Sequence, residues 1–239
     1  TKSIVDYVRN CWNLGSKTTS KDTLYSLGSA MSSSLNARGP DSFDSWQDSH
    51  CPIILLHRRL AIQDLSHTGH QPMVSNSGRF VLSYNGEIYN HRVLRKRIEE
   101  CLSENNIWKG TSDTETLLTS IEVFGLRKTL DQISGMFAFC LWDRQEKRLT
   151  ILRDRFGEKP LYWGLAYKNS SPMFVFSSDL SSLHHKNGFD RLELEYSSIA
   201  LYFKYGYVPG PSTILKGIFQ LPPGHLLSFN ISDTALLDF

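Results

Sequence analysis

A short polar segment, Asn85-Gly86-Glu87, carries the residue types from which the strongest chemistry in this chain can be built. An Asn amide next to a Gly, whose backbone N–H is not shielded by a side chain, can direct two hydrogen-bond donors at one carbonyl oxygen. Two such donors stabilise the negative oxygen that forms when a nucleophile attacks an amide. Glu87 adds a carboxylate that can hold a cation. The segment therefore predicts an oxyanion hole beside a cation-binding group.

The polar segment lies between a predicted strand and a predicted helix. Residues 79–82 alternate as a strand does, and Val93, Leu94 and Ile98 recur at helical spacing. The segment is therefore expected at the end of a strand. Asn-Gly is also a favoured pair in two-residue hairpins, so a simple turn is the competing interpretation.

The other predicted elements indicate the fold class. Strands are predicted at 4–8, 53–56, 136–142, 148–153, 161–165 and 173–176, and helices at 24–35 and 196–204. Ser112 and Glu115 have the spacing of a capping box, which places Asp113 in the first turn of a further helix. Strands grouped together with helices outside them favour an α+β fold over a parallel Rossmann sheet.

Composition limits the classes of function. The chain has 239 residues and 40% apolar content, which is enough for one sizeable domain, predicted as 1–239. Its 26 Lys and Arg balance 24 Asp and Glu, so neither a nucleic-acid nor a membrane partner is expected. The four cysteines have no paired or metal-ligand spacing, which favours a reduced, cytoplasmic protein without a metal site.

Six motifs surround the polar segment in a fixed order, and two more follow near the end of the chain. They are Arg38-Gly39-Pro40-Asp41, His57-Arg58-Arg59-Leu60-Ala61-Ile62, Gly69-His70-Gln71-Pro72-Met73, Thr111-Ser112-Asp113-Thr114-Glu115, Gly135-Met136-Phe137-Ala138-Phe139 and the run 153–162, then 206–209 and 221–225. This order resembles the class II glutamine amidotransferase domain of asparagine synthetases, and it covers nearly the whole chain. The resemblance implies the four-layer αββα amino-terminal-nucleophile hydrolase fold, with two stacked antiparallel sheets.

The resemblance also implies roles for individual residues in binding and hydrolysing L-glutamine. Asn85 and Gly86 would stabilise the oxyanion, and Arg59 would pair with the α-carboxylate as a guanidinium fork. Glu87 and Asp113 would receive the α-ammonium. The rest of the pocket would be lined by Leu60, Ala61, Ile62 and Gln63. Simpler interpretations remain open, since Arg59 can pair with Asp64 and Asp113 can be an ordinary helix-terminus carboxylate.

The start of the chain departs from the family pattern. Family members begin Met-Cys-Gly-Ile-Val/Ala-Gly-Phe/Tyr, and removal of Met exposes the nucleophilic Cys. Alignment on Ile4, Val5 and Tyr7 puts Lys2 at the nucleophile position, with Ser3 and Asp6 in place of the glycines. An amine that attacks a carboxamide yields another stable amide, so Lys2 cannot support turnover.

Two replacements for the nucleophile are open to test. Thr1 is one residue away from the matched position, and a one-residue shift along a strand turns the side chain to the other face. Cys11 lacks the Gly-Ile that should follow it, which favours an ordinary small apolar residue.

The resemblance implies a carboxy-terminal synthetase domain as partner, which would use ATP and Mg²⁺. The Ser-Gly-Gly-x-Asp-Ser phosphate loop of that domain does not occur in this sequence, so a fragment or isolated domain with no cofactor of its own is expected. A homodimer is a further expectation. Three functions follow from these residues: an asparagine synthetase-type glutaminase, a silent glutamine-binding domain that braces an ammonia-dependent synthetase, or a threonine hydrolase using Thr1.

Overall fold

The computed structural model describes residues 20–60, 67–102, 108–183, 188–190 and 192–230, together with the backbone of residues 7–10. Its strands are β1 Tyr7–Asn10, β2 Ser42–Gln47, β3 Ile53–Arg59, β4 Met73–Val74, β5 Phe80–Ile88, β6 Gly135–Asp143, β7 Arg148–Arg153, β8 Tyr162–Lys168, β9 Ser171–Ser177, β10 Ile218–Gln220 and β11 Leu226–Asn230. Its helices are α1 Lys21–Ser33, α2 His91–Leu102, α3 Asp113–Phe124, α4 Leu126–Gln132 and α5 Tyr196–Tyr205.

The strands form two antiparallel sheets. The first sheet has six strands in the order β10-β8-β9-β1-β3-β2, and the second has five in the order β11-β7-β6-β5-β4. A large apolar cluster joins them, in which Ile53 and Phe174 of the first sheet pack with Val81 and Trp142 of the second. The two sheets therefore stack face to face.

Helices cover the outer face of each sheet. Leu24 and Met31 of α1 pack on Ile54 of β3, and Leu94 of α2 and Leu117 of α3 belong to a cluster on the far side of the second sheet. Consecutive residues of β3 thus enter different clusters, which explains why its sequence is apolar without alternation. The four layers run helix, sheet, sheet, helix, and the predicted αββα fold is confirmed.

Two interpretations of local structure need correction. The competing hairpin interpretation of Asn85-Gly86-Glu87 is excluded, because β5 continues through the segment to Ile88 and pairs with β6 along its whole length. The segment lies in the last part of the strand, as expected. In the capping box, Ser112 accepts the Glu115 N–H at 3.2 Å as predicted. The Glu115 carboxylate, however, does not return to Ser112 and accepts the N–H groups of Lys109 and Gly110 at 2.7 and 3.0 Å.

Element boundaries also differ from the prediction. Helix α1 ends at Ser33, so Leu35 lies in the following turn rather than in the helix. The predicted strand at 4–8 is described only from Tyr7 onward. No helix within the described ranges has the length and apolar character needed to cross a bilayer.

Candidate active site

Strand β5 presents alternate residues to two different environments. Asn85 pairs with Ala138 of β6, and Ala138 belongs to the cluster between the sheets. Tyr84 and Ile88 belong instead to the cluster beneath α2 and α3. Because side chains alternate along a strand, Asn85 and Glu87 face the first sheet while Tyr84 faces the helices.

The Asn85 amide is buried without a hydrogen bond. The residue is 0% exposed, and within the described part of the chain neither its Oδ1 nor its Nδ2 has a partner. A buried polar group left unsatisfied costs about 1–3 kcal/mol, so native proteins rarely keep one without a use. The oxyanion role of Asn85 stays a prediction, and it would give this amide a hydrogen-bond partner.

Gly86 is required by the packing of β5 on β6. A Cβ at this position would collide with the Met136 carbonyl oxygen and stand 2.6 Å from the Phe137 Cα. Across the ladder, a Cβ on Gly135 would collide with the Glu87 carbonyl oxygen. Two glycines thus allow the backbones to approach closely where the polar segment lies. The sequence analysis did not assign a role to Gly135.

Glu87 carries an uncommitted carboxylate. It is half-buried, and no hydrogen bond or ion pair to another described residue engages it. Nearby, Lys159 is 6% exposed. Burial lowers the pKa of the Lys159 ammonium, and the negative charge of Glu87 opposes that shift. The Glu87 carboxylate therefore interacts electrostatically with Lys159, and its role in holding a ligand cation stays a prediction.

Asp113 is the first residue of α3 and reaches the end of β5. Its Oδ2 accepts the Tyr84 hydroxyl at 2.7 Å and the Ile88 N–H at 3.0 Å, and the residue is 0% exposed. Ile88, whose N–H contacts this carboxylate, directly follows Glu87 in the sequence. Asp113 is therefore more than a charge at a helix terminus, because it joins α3 to the strand that carries the polar segment.

Arg59 lies at the end of β3 on the face that points toward the second sheet. Its neighbour Arg58 points the other way, where it donates to the Ser32 carbonyl at 3.2 Å. Two residues before Arg59, the His57 Nδ1 lies 3.3 Å from the Ser83 Oγ, and Ser83 is two residues before Asn85. The contact between His57 and Ser83 joins the two sheets, and Arg59 and Asn85 each come two residues later in the sequence.

Among the remaining predicted residues, only Leu60 lies within the described part of the chain. Leu60 follows β3 and is half-buried. Ala61, Ile62 and Gln63 lie outside the described residues, as do Lys2, Thr1 and Cys11. Their predicted roles remain predictions.

A loop that the sequence analysis did not assign to the site braces it from the side of β6. Asp154 accepts the N–H groups of Phe156, Glu158 and Lys159 at 3.0 Å each. Arg153 donates from its Nε to the Lys159 carbonyl at 2.7 Å. These bonds fix the loop that carries Lys159 toward Glu87. The signal in the sequence was the Arg153-Asp154 pair at the end of the apolar strand β7.

Known proteins are similar to this chain in sequence and in fold. The glutamine amidotransferase domain family matches residues 11–239. Asparagine synthetase [glutamine-hydrolyzing] 3 of Bacillus subtilis is 32% identical over 84% of this chain and 31% of its own length. A putative asparagine synthetase [glutamine-hydrolyzing] 2 of Methanocaldococcus jannaschii is 31% identical over 84% of this chain and 40% of its own length. This chain thus spans well under half of either relative.

A solved structure shares the fold at much lower sequence identity. The glutamine phosphoribosylpyrophosphate amidotransferase of B. subtilis aligns with a TM-score of 0.58 and 16% identity, covering 95% of this chain and 49% of that one.

The fold and the sequence similarity together define a glutamine amidotransferase domain with the amino-terminal-nucleophile type of fold. The chain belongs to the glutamine amidotransferase family, as the glutamine amidotransferase domain of an asparagine synthetase-like protein.

Proposed function

We propose that this domain binds L-glutamine at the end of β5 as the glutaminase-type domain of an enzyme of the asparagine synthetase kind, which amidates aspartate or a related carboxylate. The relatives named as glutamine-hydrolysing asparagine synthetases support this substrate. ATP and Mg²⁺ are proposed to act in a synthetase domain. The Ser-Gly-Gly-x-Asp-Ser phosphate loop for ATP does not occur in residues 1–239.

The proposed binding mode uses each charged group for one end of the amino acid. Arg59 pairs with the α-carboxylate, and Glu87 with Asp113 receives the α-ammonium. The side-chain amide of glutamine then points its carbonyl oxygen at Asn85 and Gly86. Leu60, with Ala61, Ile62 and Gln63, lines the remainder of the pocket.

Hydrolysis by this mechanism needs a nucleophile. A thiolate attacks the amide carbon, and the π electrons of the C=O bond move to the oxygen as an oxyanion. The nitrogen then takes up a proton and leaves as ammonia while the carbonyl re-forms as a thioester, which water cleaves to glutamate and the free thiol. On the alignment at Ile4, Val5 and Tyr7, Lys2 takes the nucleophile position. Attack by its amine would also expel ammonia, but the product is a stable amide rather than a thioester. We therefore infer that the chain as written binds glutamine and does not turn it over.

The observation that carries this proposal is the Asn85 amide, which is buried and has no hydrogen-bond partner among the described residues. A domain that only braces another has no reason to bury an unsatisfied amide, since it would be more stable without one.

Calorimetric titration of the 239-residue chain with L-glutamine, run beside an ammonia-release assay, tests the proposal. Saturable binding without turnover is expected. The matched comparison is a chain whose residues 2–6 are restored to Cys-Gly-Ile-Val-Gly with Cys at the free amino terminus, which should release ammonia. Absence of binding in both chains would refute the proposed function, and turnover by the unrestored chain would refute the role assigned to position 2.

A silent glutamine-binding domain is the second candidate, and Lys2 is the observation that favours it. In that case the restored chain would bind glutamine and still release no ammonia, because other parts of the catalytic geometry would also have been lost.

A further inference from the structure

The Tyr84 side chain joins a largely apolar environment to the Asp113 carboxylate. Its ring packs in the cluster beneath α2 and α3 and is 0% exposed, and its hydroxyl donates to the Asp113 Oδ2 at 2.7 Å. The same oxygen accepts the Ile88 N–H at 3.0 Å. Two donors from β5 therefore converge on one atom of this carboxylate and fix its orientation.

We propose that Tyr84 is a positioning residue for substrate binding: its hydroxyl orients the Asp113 carboxylate toward the α-ammonium group of an L-α-amino acid. This inference rests on the proposed function, because it requires Asp113 to receive that ammonium.

The electrostatics of the pair are consistent with such a role. Asp113 is fully buried, and burial disfavours a charged carboxylate unless hydrogen bonds replace the lost water. The phenol and the amide supply two such bonds. Burial and then the charge of Asp113 raise the pKa of Tyr84 well above its ordinary value, which favours the protonated phenol that can donate.

The position of Tyr84 is itself held by a side chain from another motif. The backbone N–H of Tyr84 donates to the Gln71 Oε1 at 2.7 Å, and the Gln71 Nε2 lies 3.4 Å from the Thr114 Oγ1, directly after Asp113. Gln71 thus contacts both the strand and the helix that meet at the carboxylate. These contacts hold β5 and the start of α3 in fixed positions relative to each other.

The test separates a positioning role from a purely structural one by changing the ligand. Tyr84→Phe retains the packed ring and removes only the donor. We expect it to weaken L-glutamine binding by about tenfold, the loss typical of one hydrogen bond to a charged group. Glutaramate, which has the same carboxylate and amide but no α-amino group, should bind both proteins equally. Tyr25→Phe on α1, an exposed tyrosine outside the site, is the matched control and should alter neither affinity.

A double variant adds a second criterion. If Tyr84 acts through Asp113, then Tyr84→Phe should have little further effect on glutamine binding in an Asp113→Asn background. Additive losses would overturn the inference, as would an equal loss for glutamine and glutaramate or no loss for either. Absence of glutamine binding by the unaltered chain would overturn the proposed function and this inference together, whereas binding that ignores Tyr84→Phe would overturn only the inference.

A spectroscopic measurement decides the matter if Tyr84→Phe does not fold. With 3-fluorotyrosine incorporated at position 84 alone, the ¹⁹F resonance should shift on addition of L-glutamine and stay in place on addition of glutaramate. The same response to both ligands, or to neither, would contradict the proposed role.

Discussion

Replacing Asn85 by Ala should separate catalysis from stability. In most buried positions, truncating a polar side chain destabilises the fold because its hydrogen-bond partners are left unsatisfied. Asn85 has no such partner among the described residues, and it is 0% exposed. The wild-type protein therefore already bears the cost of an unsatisfied buried amide, which is about 1–3 kcal/mol.

The expected change in stability follows from two opposing contributions. Removing the amide relieves its desolvation cost, while the space it leaves costs about 1 kcal/mol for each methyl-sized void. The two nearly cancel, so the free energy of unfolding should change by no more than about 1–2 kcal/mol. Catalysis should respond very differently, because losing one oxyanion donor lowers kcat by about 10²–10³.

The assay needs a background with measurable turnover, which is the chain restored to Cys-Gly-Ile-Val-Gly at residues 2–6. In it, Asn85→Ala should lower kcat with little change in KM, since the amide binds the oxygen most strongly once it becomes an oxyanion. Urea unfolding of the same proteins reports stability. Ser83→Ala is the matched control on the same face of β5, because it deletes a hydroxyl that already has a partner, His57 at 3.3 Å. It should cost more stability and far less kcat.

Two results would refute the reasoning. One is a large loss of stability in Asn85→Ala accompanied by full activity of the folded fraction, which would make the amide a structural group. The other is a loss of kcat in Ser83→Ala equal to that in Asn85→Ala, which would show that the assay responds to any disturbance of β5.

Three further predictions concern the start of the chain, the carboxylate clamp and the strand packing. The chain as written, with Lys2 in place, should keep at most the 10³–10⁴-fold acceleration over water that binding and oxyanion stabilisation typically leave, and an ordinary glutaminase rate would contradict the alignment. Arg59→Ala should weaken glutamine binding by about 1.5–3 kcal/mol in calorimetry, and unchanged affinity would make Arg59 structural. Gly86→Ala should destabilise the domain by about 1–3 kcal/mol or more in urea unfolding, because its Cβ meets backbone atoms of β6. Gly125→Ala, whose Cβ meets nothing within 4 Å but whose φ of +81° is strained for alanine, measures the cost of a positive φ alone, and a loss in Gly86→Ala no larger than that would contradict the packing argument.

The sequence predicts the interior of each sheet and misses the edges. Central strands such as β3, β6 and β9 are long and buried, so their apolar runs are visible in the sequence. The missed strands, β2, β4, β10 and β11, are the four edge strands of the two sheets. Edge strands are often short and partly exposed, as Ser42–Gln47 and Met73–Val74 are here, and therefore lack a clear hydrophobic pattern.

The site residues were predictable by type but their connections were not. The sequence identifies Asn85, Glu87 and Asp113 as polar groups near strand and helix ends. It does not show that Tyr84, one residue before Asn85, points to the opposite layer and bonds Asp113, because that depends on the packing of α3 against β5. Gly135 was missed for the same reason, since its role appears only once the pairing register sets it against Glu87.

The hairpin interpretation of Asn85-Gly86, which the structure excludes, identifies where local preference and fold disagree. Asn and Gly are poor strand residues and favoured in turns, yet nine consecutive residues of β5 pair with β6 through them. The fold nevertheless imposes the strand here. Gly86 permits the close approach of β5 to Met136 and Phe137 because it has no side chain, and Asn85 is buried beside it. Both residues are unfavourable in a strand, Gly86 contributes no side chain to the packing, and the Asn85 amide has no hydrogen bond to a described residue. Each of these features destabilises the fold. Natural proteins accept such conflicts mainly at functional sites, and here the conflict falls on the two residues assigned to the oxyanion.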